Sequence, residues 1–115
     1  MSAEFILSFN DFSWYENNKY NIVKVISSLP SYWKNDGAIY YLSCDINKEN
    51  YSVRLFIEDK SLFIEISTRP EIIQNDLHYL FSWIRCRTRI KIYDHDGEES
   101  GGNHMKISKI YHPVG

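Results

Sequence analysis

The sequence predicts an α+β fold: a mainly antiparallel sheet of about five strands with two helices packed on one face. Two observations carry this. Two stretches repeat apolar residues every three or four positions, as one face of a helix does, and the stretches around them alternate with the two-residue period of a strand. The order reads (β)-α-βββ-α-ββ. Sheet and helices each have one apolar side to bury, and helices gathered on one face of the sheet bury both.

Phe5, Leu7 and Phe9 alternate with Ile6 and Ser8, which fits a short strand or an irregular lead-in. Ser13 followed by Glu16 has the spacing of a capping box, so a helix is expected from Trp14 to about Ser28. Ile22, Val25, Ile26 and Leu29 form its apolar face, Asn17 and Asn18 weaken its first turn, and Pro30 stops it. From Ala38 the period becomes two, with Tyr40, Leu42, Cys44 and Ile46 on one face of a strand. Val53, Leu55 and Ile57 mark the next strand and Leu62, Ile64 and Ile66 a third, joined by connectors of hairpin length. Thr68-Arg69-Pro70-Glu71 reads as a second capping box with proline in the first helical turn. Ile73, Leu77, Leu80, Phe81 and Ile84 form the buried stripe of that helix, with Arg85, Arg87 and Arg89 at or past its end, where the macrodipole favours positive charge. Ile90 and Ile92 begin a strand, and Met105, Ile107 and Ile110 mark a last one after an acidic loop.

With 115 residues and 43% apolar content the chain can build one core, so residues 1–115 are read as a single domain. Charged residues make up 24% and the formal net charge is −2, which points neither to disorder nor to a strongly basic nucleic-acid binder. No basic segment opens the chain and no apolar run is long enough for a membrane span, so a cytoplasmic protein without membrane association is expected. Cys44 and Cys86 are too few for a disulfide framework and are expected as buried thiols, Cys44 inert on an apolar strand face. Nine Tyr, six Phe and three Trp suit either core or contact surface.

The densest polar cluster is Asp94-His95-Asp96-Gly97-Glu98-Glu99, with His104 nearby. A calcium loop of the EF-hand type needs glycine sixth and an acid twelfth, whereas here glycine stands fourth and Met105 twelfth, so no metal is expected. A solvated turn or an acidic contact surface remains. Arg85, Arg87, Arg89 and Lys91 could meet phosphate beside Tyr79, Trp83 and Tyr93, but helix capping accounts for the same residues and four acids follow them. Direct nucleic-acid binding is therefore not expected. No nucleophile elbow, phosphate loop, dinucleotide fingerprint or zinc-protease motif occurs, so neither enzymatic activity nor a cofactor is expected.

The polar, aromatic opening Phe9-Asn10-Asp11-Phe12-Ser13-Trp14-Tyr15 and the acidic turn Asp94–Glu99, in a chain of this size and element order, resemble the immunity proteins of bacterial contact-dependent inhibition and related polymorphic-toxin systems. The resemblance carries no residue across by position. It implies a protein-binding inhibitor that occludes a cognate toxin, often a basic nuclease domain, in the cytoplasm. Under that reading the partner-binding residues are Asp94, Asp96, Glu98 and Glu99, with Glu58 and Asp59 from a hairpin and Tyr93 and Trp33 as aromatic anchors. Glu58, Asp59 and the 94–99 cluster have a plainer explanation as turns kept in water, and Trp33 as a core plug beneath Pro30. A phage-type inhibitor of host defence, a ligand-binding or enzymatic domain, and a homodimer through the last strand's edge stay open.

Overall fold

The computed structural model describes residues 3–45, 47 and 49–94. Its elements run β1 (Ala3–Phe9), α1 (Phe12–Ser28), β2 (Tyr32–Asp36), β3 (Ile39–Leu42), β4 (Val53–Ile57), β5 (Ser61–Ile66), α2 (Glu71–Arg85) and β6 (Ile90–Asp94). The six strands form one sheet in the order β2-β3-β4-β5-β1-β6, and every neighbouring pair is antiparallel. The α+β class is as expected, with one strand more than the five expected. The last expected strand, at Met105, Ile107 and Ile110, lies outside the described residues, as does Ile46.

The added strand is β2. Tyr32, Trp33, Lys34, Asn35 and Asp36 carry little apolar alternation, and the pairing with β3 shifts register between Tyr32 and Lys34, which breaks the period as a bulge does. Gly37 closes this hairpin with φ +62°, the left-handed backbone that tight two-residue turns require and glycine adopts without steric cost. The lead-in Phe5–Phe9 is a full strand and lies inside the sheet, hydrogen-bonded to β5 on one side and β6 on the other. β5 and β6 therefore run parallel with β1 between them, and α2 crosses over β1 to join them as a split βαβ unit.

Both expected capping boxes are replaced. Asp11, with an extended backbone, caps α1 by accepting the Trp14 backbone N–H at 3.1 Å, and Ser13 sits inside the helix. Pro70 is itself the cap residue of α2, so Thr68 stands two residues too early, and the cap residue makes no side-chain hydrogen bond to the first turn. The Gln74 side chain instead donates to the Arg69 carbonyl at 2.8 Å.

The core lies between the helices and one face of the sheet. Phe5, Leu7, Leu55, Leu62, Ile64 and Ile92 point to that face, where Tyr15, Ile22 and Ile26 of α1 and the expected stripe of α2 close over them. Asp76 of α2 is also buried, and its carboxylate accepts the Ser31 backbone N–H at 2.8 Å, fixing the segment after α1.

The pleat sends alternate residues to the opposite face, over which no described helix lies. Two rows cross it at right angles to the strands. One runs Ile39, Phe56, Phe63, Ile6, Tyr93 over β3, β4, β5, β1 and β6, each residue in register with the next. The other runs Lys34, Tyr41, Arg54, Glu65, Glu4 over β2, β3, β4, β5 and β1.

Candidate functional site

The expected partner-binding residues fall on separate surfaces. Glu58 and Asp59 form, with Lys60, the exposed tip of the β4–β5 hairpin, and this tip is held from below. Tyr15, fully buried in the first turns of α1, directs its hydroxyl to the backbone carbonyls of Glu58, at 2.5 Å, and Ser61, at 2.9 Å, which share its single proton. Glu58 also donates its backbone N–H to the Ser61 carbonyl at 3.0 Å, closing the turn. Burial first, then the carboxylates of Glu58, Glu16 and Asp59, raise the Tyr15 pKa, so the phenol stays neutral well into the alkaline range. Glu16, expected as a capping residue, instead adds to the negative field at the phenol and pairs at 3.8 Å with Lys19, whose ammonium lies 5.0 Å from the centre of the Tyr15 ring.

Trp33 and Tyr93 both belong to the sheet face over which no described helix lies, but stand on the two outermost described strands, roughly 24 Å apart at the usual strand spacing. Trp33 is no core plug. Its ring meets Tyr41 edge-on, with centroids 6.2 Å apart, and the Lys34 ammonium lies 4.5 Å from its centre. At the middle of the face Phe56 and Phe63 pack edge to face at 5.3 Å, beside an Arg54–Glu65 ion pair in which the Arg54 Nε donates to Glu65 at 2.5 Å. Hydrogen bonding to Glu65 is the main cause of the raised Arg54 pKa. Asp94 ends β6 in register with Phe5 of β1, away from the hairpin tip, while Asp96, Glu98 and Glu99 lie outside the described residues, as do His95 and His104.

The basic group is largely taken up by the end of α2. The Arg87 guanidinium stacks on Trp83 at 4.1 Å and donates to the Trp83 carbonyl at 2.9 Å, as a helix C-terminus favours. Arg89 and Lys91 are exposed.

Both cysteines are exposed, not buried as expected. β3 ends at Leu42 because serine hydroxyls displace the ladder: Ser43 Oγ donates to the Asn50 carbonyl at 2.6 Å, and Ser52 Oγ accepts the Cys44 backbone N–H at 3.2 Å. The alternation through Cys44 therefore outlasts the strand. Cys44, Asp45, Tyr51, Ser52, Ser67 and Thr68 line an open depression of about 460 Å³ with Asn50. The Asp45 carboxylate there already accepts the backbone N–H groups of Asn47 and Glu49, at 3.0 and 3.2 Å. Cys44 follows β3, four strand positions from the Asp94 strand, roughly 19 Å, so the two do not converge.

Among the described residues no three His, Cys, Asp or Glu side chains gather in a way that could hold a metal ion, and no helix is long and apolar enough to cross a membrane. Comparison with protein-family models, with curated proteins and with solved structures gives no match for this chain.

Proposed function

We propose that the chain is a protein-binding inhibitor, of the immunity kind, that occludes a basic toxin domain and first meets it through the acidic end at Glu58, Asp59 and Glu16. The observation that carries this is the Tyr15 bond beneath the tip. A hairpin turn that merely keeps its charges in water needs no anchor. Here a buried phenol fixes both ends of the turn, so the two carboxylates are carried on a backbone already ordered before binding, which lowers the entropy lost on capture. Opposite charge then quickens the encounter with a basic partner, as it does wherever surface potentials are complementary.

The test is capture by the tagged protein from its native lysate at low and high salt, followed by assay of the captured protein's activity with and without the inhibitor. Glu58→Lys with Asp59→Lys should slow association on the order of tenfold and leave folding intact, and raised salt should weaken the wild type in the same sense. Equal capture by the variant removes the acidic end from the interface, and a captured protein that stays fully active when bound removes inhibition. A toxin gene immediately upstream supports the immunity form over other inhibitors.

A further inference from the structure

We infer that the sheet face over which no described helix lies is the contact between two copies of this chain, packed face to face about a two-fold axis parallel to the strands. A two-fold contact brings the same patch of both copies together, so the patch must be complementary to its own rotated image. The middle of the six described strands falls between β4 and β5. Rotation about an axis there exchanges the halves of the face and keeps each row level. In the apolar row, Phe56 then lies over the second copy's Phe63 and Ile39 over the second copy's Ile6.

The polar row has a sign change at the same line: Lys34 and Arg54 stand on the β2–β4 half, Glu65 and Glu4 on the β5–β1 half. Rotation places Arg54 over the second copy's Glu65 and the reverse, and sets Glu4 over the second copy's Tyr41. The result is a square of alternating charge built from the single Arg54–Glu65 pair that each chain already forms. Two sheets stacked in this way at about 10 Å make a sandwich, with rings from both inner faces filling the middle. The face measures roughly 24 Å by 17 Å from strand spacing and strand rise, at the small end of stable contacts. Association in the micromolar range is therefore expected. The inference is independent of the acidic hairpin tip.

Sedimentation or light scattering should show the mass of the wild type rising from 13.7 kDa to twice that as concentration approaches about 100 µM. Arg54→Glu and Glu65→Arg each put like charges face to face and should each stay monomeric. Mixed in equal amounts they should form a heterodimer, because every cross-copy contact is then again between opposite charges, while the pair inside each copy remains repulsive. Circular dichroism of each variant checks its fold. Should either fail to fold, Ile6→Lys, at a side chain already 38% exposed, should lower dimerisation at least tenfold without touching the ion pair. A wild type monomeric at about 100 µM overturns the inference. So does a mixture of folded variants that stays monomeric, or an Ile6→Lys protein that dimerises as the wild type does.

Discussion

Tyr15 shows how much one side chain can do that its neighbours in sequence do not announce. Its place in an aromatic, polar opening suits either core or surface, yet it is fully buried and its hydroxyl reaches a hairpin 43 residues away. Removing that hydroxyl leaves the Glu58 carbonyl without its partner, whereas the Ser61 carbonyl keeps the Glu58 N–H. Tyr15→Phe should therefore cost about 1–2 kcal/mol, read from urea unfolding near neutral pH. The pH dependence has a definite sign. The folded state holds the phenolic proton more tightly than the unfolded chain, whose tyrosines ionise near about pH 10, so the stabilisation is full below that pH and falls away as pH rises above it. Wild type should lose more stability than Tyr15→Phe between about pH 8 and pH 11, and equal losses would show that the phenol is not insulated. Glu58 and Asp59 were legible as an exposed turn from residue type alone; their anchor was not, since no local pattern encodes a contact at that separation. The same holds for Asp76 beneath Ser31.

At the scale of elements, periodicity served best where an element has one wet and one dry face. The stripe of α2 and the alternation of β4 and β5 fall where the sequence places them, because each buries every second or every third to fourth residue against the core. β2 escapes that logic. It is an edge strand whose last three residues are exposed, with a bulge that shifts its phase, so neither periodicity nor apolar content marks it. Helix starts were misplaced for a related reason: Ser13 and Thr68 have the spacing of a capping box, but Asp11 lies two residues earlier and Pro70 two residues later. The two candidates for the α1 cap separate cleanly in thermal unfolding. Asp11→Ala should cost about 1 kcal/mol and Ser13→Ala less than about 0.5 kcal/mol. The reverse ranking would return the cap to Ser13.

For the molecule as a whole, the layer arrangement followed from the sequence because two amphipathic helices and a one-sided sheet have few ways to bury their apolar sides. Strand order did not follow, and nor did the grouping of the contact residues. Trp33 and Tyr93 share a face through the pleat but stand on the first and last of the described strands across the sheet, and the acidic tip stands apart from both. The internal place of β1 carries the strongest prediction at this scale. Deleting residues 1–9 takes the middle out of the β5-β1-β6 region and removes Phe5, Leu7 and Phe9 from the core, so the shortened chain should show no cooperative urea transition. A sharp transition near the wild-type midpoint would mean that the remaining strands close the gap without it. The same placement bears on how the chain is born. On the ribosome β1 finds its partners only when Ser61–Ile66 and then Ile90–Asp94 have been made. At about 5–20 residues per second, Phe5, Leu7 and Phe9 wait roughly 4–17 s for both neighbours, while the four strands β2 to β5 can already be pairing in sequence behind them. During that interval the newborn chain offers an unpaired apolar strand to any chaperone or stray sheet edge within reach, and slower translation lengthens that exposure whatever the stability of the finished fold.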